Sequence, residues 1–244
     1  MAGWYREDLA YIHDVGHADF ALRSAPGILE VLQENGIPDG LVVDLGCGSG
    51  LWARELLGAG YRVLGIDISE SMIEIAREKA PGAEFRVGSL FEADIPPCEA
   101  VTAVSEVLNY LFDPENEERG PDRLFRRVHE ALRPGGVFVF DVLGPGRVPP
   151  DVKQRSFLEG RDWAVLTETE EDRGRKTLTR RIVSFRRVGE HYRRDDEVHR
   201  VRLFEPSEMS AQLRAAGFRV RTARSYGGYP LSKGHAAFVA RKPA

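Results

Sequence analysis

The feature that most constrains the fold is a regular alternation of apolar, strand-like runs with helical patterns between residues 40 and 143. The patterns predict strands at 40–46, 61–69, 83–90, from 99 onward and at 137–143, with helices at 51–60, 69–82 and 123–136. The strand that begins at 99 is expected to turn into a helix near Ser105. Strands that alternate with helices form parallel sheets covered on both faces, which also explains why these strands are almost continuously apolar. This part of the chain is therefore predicted to be an α/β domain.

The pattern changes after "GPGRVPPD" (144–151), which is rich in Pro and Gly and reads as a boundary. Three strand-like stretches follow at about 161–171, 175–188 and 191–204, separated by turn-forming "DRGR" and "VGEH". A helix at 205–218 and strands at 219–226 and 235–242 then complete the first sheet. We expect four regions: an N-terminal helical lid (1–35), a core (36–145), an inserted antiparallel β meander (146–204) and a C-terminal return to the core (205–244).

Composition excludes several classes of function. The 244 residues carry a net charge of −4 with a pI near 5.9, so neither nucleic acid nor an anionic membrane is expected as the main partner. Cys47 and Cys98 do not have the spacing of a metal site or a redox pair, and no metal is expected. The N-terminus lacks the apolar core of a signal peptide, and no run is long enough to cross a bilayer. We expect a cytoplasmic monomer or homodimer.

The loop "DLGCGSG", Asp44 to Gly50, joins the first strand to the first core helix, at the sheet edge where α/β proteins bind ligands. Its glycines alternate at 46, 48 and 50, which differs from the G-x-G-x-x-G dinucleotide fingerprint. No Gly-Lys-Ser/Thr follows, so a P-loop is excluded as well. Asp67, at the end of the second strand, is suitably placed to accept both hydroxyls of a ribose. Together these features favour a nucleoside that carries a small zwitterionic tail.

The blocks "VVDLGCGSG", "GIDIS" and "LRPGGVFVFDV" resemble those of class I S-adenosylmethionine-dependent methyltransferases over about 41–143. The resemblance implies a Rossmann-like, seven-stranded, mostly parallel sheet of order 3-2-1-4-5-7-6, with strand seven antiparallel and helices on both faces. It also implies S-adenosylmethionine as the cofactor and S-adenosylhomocysteine as the product.

The resemblance further implies roles for individual residues near the cofactor. Backbone at Gly46, Cys47 and Gly48 would pack against the methionine part, Asp44 would orient the loop and help to hold the amino group, and Asp67 would bind the ribose. Ile68 and Met72 would cover the adenine, Ser105 would lie near the methyl group, and Tyr11 of the lid would face the cofactor. Ser89-Leu90 stands where the family usually has an acid and an apolar residue. The serine is a departure, although the Leu90 amide could still reach the adenine.

The acceptor pocket is less defined, because methyl transfer by in-line displacement mainly requires alignment and exclusion of water. Glu197 and His199 lie two apart on one strand and share a face, so Glu197 could orient His199 as a general base. Other residues expected near the acceptor are His13, Phe20, Glu106, Asn109, Tyr110 and Tyr226.

Three functions remain open at this point. The first is a methyltransferase acting on a nitrogen or oxygen of a small molecule. The second is an RNA methyltransferase that uses the basic segment "TRRIVSFRRVGEHYRR", although acidic residues interleave with its arginines. The third is a regulatory protein that binds S-adenosylmethionine without catalysis.

Overall fold

The computed structural model describes residues 4–244, apart from the side chains of residues 114, 115 and 117–119. Its helices are α1 (Glu7–Gly16), α2 (Ala18–Glu34), α3 (Leu51–Gly58), α4 (Glu70–Lys79), α5 (Pro114–Ala131) and α6 (Pro206–Ala215). Its strands are β1 (Leu41–Leu45), β2 (Arg62–Asp67), β3 (Glu84–Val87), β4 (Cys98–Ala103), β5 (Leu132–Leu143), β6 (Gln154–Glu159), β7 (Trp163–Asp172), β8 (Thr177–Val188), β9 (His191–Arg202), β10 (Arg219–Ala223), β11 (Ser225–Tyr226), β12 (Tyr229–Pro230) and β13 (His235–Arg241). A short 3-10 helix, Val107–Asn109, follows β4.

Seven of these strands form one sheet in the order β3-β2-β1-β4-β5-β13-β10. Strands β1 to β5 pair in parallel, whereas β13 is antiparallel to both β5 and β10. Because β10 and β13 are the sixth and seventh strands of the sheet along the chain, this is the predicted order 3-2-1-4-5-7-6. The predicted α/β fold is confirmed.

Successive strand residues point to opposite faces of the sheet, and each face is covered by helices. On one face Val42 of β1 packs in a cluster with Ile28, Trp52 and Ile73 from α2, α3 and α4. On the other face the next residue, Val43, packs in a cluster that includes α5 and α6. The glycine loop therefore begins at the end of a strand that is packed between two apolar layers. This packing fixes the position of the loop.

The inserted meander, β6 to β9, is a separate antiparallel sheet with four strands where the sequence predicts three. The additional strand is β6, "QRSFLE", in which every residue is exposed. A wholly exposed edge strand has no buried face, so it lacks the alternating pattern on which the prediction depends. On the inner side of the meander, Leu178 and Val201 pack with Leu143 and Val148.

Other element boundaries also differ from prediction. Beyond β4 the chain forms only one 3-10 turn, because Ser105 and Glu106 adopt left-handed φ angles of 74° and 54°. Helix α5 is interrupted at Gly120, whose φ of 59° and ψ of −177° are not helical, and its second part ends at Ala131, because Leu132 already pairs with Cys98 in the sheet. The N-terminal region expected to be a helical lid contains two helices, α1 and α2, and α2 continues to Glu34 with Ile28 and Leu32 in the core.

Strand β10 ends at Ala223, and the hairpin β11–β12 follows where a longer sixth strand was expected. Ser69 caps helix α4, because its Oγ accepts a hydrogen bond from the Met72 amide at 3.3 Å. Within residues 4–244, no helix combines the length and apolar character that crossing a bilayer requires.

Candidate functional site

A cavity lies at the carboxyl ends of β1, β2 and β4, beneath the N-terminal segment. The volume of the cavity together with the open solvent at its mouth is about 1060 Å³. Several of the residues predicted for a site line it: Asp44, Gly46, Cys47, Gly48, Asp67, Ile68, Met72, Leu90, Ser105, Tyr110, His13 and Phe20. Tyr5, His17, Phe112 and Asp113 also line it, and the sequence did not single out Tyr5, Phe112 or Asp113. The residues that the strand–loop–helix pattern singles out thus lie around one cavity.

The three loop glycines have positive φ angles, 70° at Gly46, 52° at Gly48 and 77° at Gly50, but their surroundings differ. A Cβ at Gly46 would lie 2.7 Å from Val107, and one at Gly50 would lie 3.0 Å from Ala76. At Gly48 nothing lies within 4 Å. Gly46 and Gly50 are thus required by the packing of the protein itself. The space beside Gly48 is open to a ligand.

Asp67 holds the loop to the end of β2. Its Oδ2 accepts the Gly48 amide at 2.9 Å, and its Oδ1 accepts the Ser69 amide at 2.9 Å. Burial raises the pKa of Asp67, and these amide hydrogen bonds oppose that rise. The carboxylate keeps lone pairs free for further donors such as hydroxyls.

Asp44 is 2% exposed and lies at the base of a hydrogen-bonded chain. Trp52 Nε1 donates to Thr102 Oγ1 at 3.1 Å, and Thr102 Oγ1 donates to Asp44 Oδ1 at 2.7 Å. Burial raises the pKa of Asp44 to about 7, against the effect of the Thr102 hydrogen bond. Among the lining residues that the structure describes, three are carboxylic acids and none is Lys or Arg. A ligand with a positive charge would compensate Asp44 and Asp67.

At the end of the cavity near Leu90, the serine that departs from the family pattern does not face the ligand space. Ser89 Oγ donates to Asp113 Oδ2 at 2.6 Å and accepts the Phe91 amide at 3.1 Å. Asp113 itself lines the cavity. A carboxylate therefore lies at this end after all, supplied from beyond β4. A single acid in "LFDP" gives no local signal of that role.

The N-terminal segment contributes Tyr5 to the cavity, whereas the sequence predicted Tyr11. The Tyr11 hydroxyl donates to Asp162 at 3.0 Å, and the Arg186 guanidinium lies 3.9 Å from the centre of its ring. The turn of α1 thus directs Tyr11 to the meander. Tyr5 precedes the helix, and its hydroxyl lies 2.8 Å from that of Tyr110.

His13 and His17 lie on the same side of the N-terminal segment and stack with ring centres 5.6 Å apart. Burial, together with the neighbouring His17, lowers the pKa of His13 to about 4. The His13 imidazole is therefore neutral at pH 7 and adds no positive charge to the cavity.

Glu197 and His199 form the predicted pair, with His199 Nε2 2.8 Å from Glu197 Oε2. Both side chains are buried, but neither lines the cavity, because Tyr5 and Tyr110 pack over the His199 ring at centre distances of 4.7 and 5.9 Å. Glu197 also accepts the amides of Tyr5 and Arg6, each at 2.9 Å. The geometry gives the pair a role in holding the N-terminal segment to β9, in place of the expected general base.

Three residues expected near the acceptor lie outside the cavity lining. Glu106 binds Arg180 at 2.6 Å and His235 at 3.1 Å, and Tyr226 donates to a buried Asp141 at 3.0 Å. Asn109 is fully buried and bridges strand ends: Nδ2 donates to the Leu143 and Arg202 carbonyls and Oδ1 accepts the Leu143 amide. The sequence predicts that these three polar residues lie near the acceptor, but in the structure they complete contacts within the protein.

The part of the chain that the structure describes contains no group of three or more His, Cys, Asp or Glu side chains arranged to bind a metal ion.

Comparison with known proteins adds an independent observation. A family model described as a methyltransferase domain matches residues 42–136, which include the glycine loop, Asp67 and Asp113. A protein of Geobacillus sp. (strain WCH70), provisionally named a methyltransferase, is 28% identical over 190 residues, covering 73% of this chain and 74% of that protein.

Solved structures share the fold over nearly the whole chain. An S-adenosylmethionine-dependent methyltransferase from Clostridium acetobutylicum ATCC 824 superposes with a TM-score of 0.81 at 20% identity, covering 96% of this chain and 98% of that one. The sugar N-methyltransferase KedS8 from Streptoalloteichus sp ATCC 53650 has a TM-score of 0.80 at 18% identity, with coverage of 100% and 96%. The similarity extends over the meander as well as the core.

Proposed function

Because this chain belongs to the class I S-adenosylmethionine-dependent methyltransferases, we propose that it methylates a nitrogen or oxygen atom of a small-molecule acceptor. The observation that carries the proposal is the cavity at the glycine loop, whose described lining combines carboxylic acids with aromatic and other neutral side chains and contains no Lys or Arg. An amine is the acceptor that this lining fits best.

The residues present fit S-adenosylmethionine. The open space beside Gly48 lets a ligand approach the backbone, and Asp67 offers carboxylate oxygens for ribose hydroxyls. Asp44 is buried and would be held in its charged form by a ligand's ammonium group. Ile68, Met72 and Leu90 provide apolar surface for the adenine, with the Asp113 carboxylate beside it.

When bound, S-adenosylmethionine supplies an activated methyl group, so this chain's residues mainly have to align the acceptor and exclude water. Phe20, Phe112 and the Tyr5–Tyr110 pair enclose the space beside Ser105. The two tyrosine hydroxyls can hydrogen-bond an acceptor amine or hydroxyl. Burial raises the pKa of both tyrosines, so they act as neutral donors and acceptors.

Charge favours an amine over an acidic acceptor. An acceptor that carries a carboxylate or phosphate would lie in the same cavity as Asp44 and Asp67, whose described lining contains no Lys or Arg, and this is unfavourable without a counter-charge. An amine meets no such penalty in either protonation state, and it reacts as the neutral base. KedS8 is a sugar N-methyltransferase, which agrees with this choice.

The RNA alternative has less support, because many arginines of the meander are already paired. Arg155 binds Glu168, Arg180 binds Glu106, and both Arg186 and Arg193 bind Asp8. Guanidinium groups engaged in this way are less available to neutralise phosphates.

Calorimetry with S-adenosylhomocysteine tests the cofactor assignment directly. We expect the wild-type chain to bind it and Asp67→Asn to bind about 10- to 100-fold more weakly, since a charged hydrogen-bond acceptor is lost. Glu74→Gln, a change of an exposed acid on α4, is the control and should bind as the wild type does. If S-adenosylhomocysteine does not bind, or if Asp67→Asn binds equally well, the proposal fails.

A second experiment addresses the acceptor. The chain is incubated with radiolabelled S-adenosylmethionine and panels of primary amines, phenols, carboxylic acids and transfer RNA. We expect label to be transferred to amines first. Transfer only to RNA would support the RNA alternative. Tight binding without transfer to any acceptor would favour the regulatory protein.

A further inference from the structure

A buried carboxylate on β5 lies beside the end of β4 and binds two successive backbone amides there. Asp141 is 0% exposed, and its Oδ1 and Oδ2 accept the amides of Ser105 at 2.8 Å and Glu106 at 2.9 Å. Its Oδ1 also accepts the Tyr226 hydroxyl at 3.0 Å. Both oxygens of the carboxylate are therefore used, and two of the three donors belong to one turn.

That turn, Ser105–Glu106, has an unfavourable backbone conformation. Both residues lie in the left-handed region, with φ angles of 74° and 54°, and neither is glycine. A side chain at such angles costs free energy and persists only where surrounding groups hold the backbone in place. Asp141 binds both amides of the turn, so it is the group that supplies this constraint.

The turn separates two environments. Ser105 lines the cavity, whereas the side chain of Glu106 points away from it and binds Arg180 of β8 and His235 of β13. An ordinary continuation of β4, or an early start of helix, would redirect both side chains. The left-handed conformation is thus what gives Ser105 its place at the cavity.

We propose that Asp141 is a positioning residue for methyl transfer, which fixes the Ser105–Glu106 turn and so the shape of the cavity where donor and acceptor meet. The inference rests on the proposed function, since it assigns the turn to the reacting end of the cavity. Asp141 does not line the cavity and acts through Ser105.

The state of ionisation of Asp141 follows from the same contacts. Burial raises its pKa to about 6, and the amides of Ser105 and Glu106 oppose that rise. At pH 7.5 the carboxylate accepts both amides, but below pH 6 a proton converts one acceptor oxygen into a donor. The other polar or charged groups around it are Tyr226, His235 and Glu106, with Arg180 beyond Glu106.

The test variant is Asp141→Asn, which keeps the shape but can accept only one of the two amides. Amide hydrogen exchange should show at least about 10-fold lower protection at 105 and 106, the loss of one charged hydrogen bond. The affinity for S-adenosylhomocysteine at pH 7.5 should fall about 10-fold, as expected for the same loss. In the wild type, protection at these two residues should decrease from pH 7 to pH 5, and in the variant it should be low throughout.

Two further variants separate positioning from general stability. Tyr226→Phe removes the third hydrogen bond but leaves both amides bound, so its affinity should stay within about 3-fold of wild type. Ser105→Gly relieves the strain, because glycine adopts positive φ at little cost. Asp141→Asn should therefore weaken binding less in the Ser105→Gly background than in the wild type.

The outcomes are distinguishable. Unchanged protection at 105 and 106 in Asp141→Asn overturns the inference. The inference is also overturned if Asp141→Asn weakens binding equally in the wild-type and Ser105→Gly backgrounds and the loss follows the fall in melting temperature. Asp141 would then be only a structural residue. If the wild type binds no S-adenosylhomocysteine, the proposed function fails, and the protection factors alone decide whether Asp141 holds the turn.

Discussion

At the scale of single residues, the glycine loop illustrates how one residue type meets two different demands. Gly46 and Gly48 both require positive φ, but a Cβ at Gly46 would overlap Val107, whereas Gly48 borders open space. The first glycine is needed for the packing of the loop on the residues after β4. The second is needed for whatever approaches the backbone from the cavity.

Alanine at each position separates these demands. Gly46→Ala should lower the free energy of unfolding by about 2 kcal/mol or more, because strain and overlap add. Gly48→Ala should cost only about 1 kcal/mol from the left-handed φ but weaken S-adenosylhomocysteine binding more than about 10-fold. Thermal melts and calorimetry on both variants measure this. Wild-type affinity in Gly48→Ala would show that no ligand lies against Gly48.

Residues that a local pattern places at the end of a strand lie together in the structure. Gly46 and Gly48 follow β1 and Asp67 ends β2, so the carboxyl edge of the parallel sheet brings them together. Glu106, Asn109 and Tyr226 could not be placed in this way. Their partners are Arg180, Leu143 and Asp141, at sequence separations that no local pattern reports.

At the scale of elements, the chain before α1 is held by a distant strand. Glu197 of β9 accepts the amides of Tyr5 and Arg6, Arg6 binds Asp195, and Ser69 Oγ donates to the Tyr5 carbonyl. Tyr5 consequently has a fixed backbone although it precedes the first helix. The family resemblance predicted that Tyr11 would face the cofactor. The position of Tyr5 at the cavity follows only from its contacts with β9.

Removing the charge of Glu197 tests this attachment. In Glu197→Gln the amide can serve only one of the two backbone donors, so local opening at residues 5 and 6 should become easier by about 1–3 kcal/mol. Hydrogen exchange at these residues should accelerate, and S-adenosylhomocysteine should bind more weakly. Asp196→Asn is the matched control, since its exposed side chain binds only Arg194 among the contacts described. Equal exchange in both variants would contradict the role of Glu197.

At the scale of the whole molecule, a buried ion cluster joins the meander to the main sheet. Glu106 lies between Arg180 of β8 and His235 of β13. Burial alone would raise the pKa of Glu106, but Arg180 and His235 outweigh it and lower that pKa from 4.5 to about 2. The sequence of the meander is rich in arginine, and the structure shows that many of these arginines form ion pairs within the chain.

The lowered pKa of Glu106 leads to a prediction about the stability of the fold. A carboxylate with a depressed pKa stabilises the fold above its unfolded pKa, and this contribution is lost as pH falls from 4.5 towards 2. Glu106→Gln should lower the free energy of unfolding at pH 7 by about 3 kcal/mol, since Arg180 stays buried without its counter-charge. Denaturant unfolding at pH 7, 4.5 and 3 measures this. A variant whose deficit is as large at pH 3 as at pH 7 would contradict it.

The attachment of residues 4–6 to β9 also has a consequence for biosynthesis. The Tyr5 amide and its Glu197 acceptor are 192 positions apart, so a ribosome synthesises Tyr5 long before it synthesises Glu197. Tyr5 and Arg6 therefore remain without their β9 partners until Glu197 has been translated. During synthesis, the wall that Tyr5 contributes to the cavity can therefore be completed only after β9 has been made.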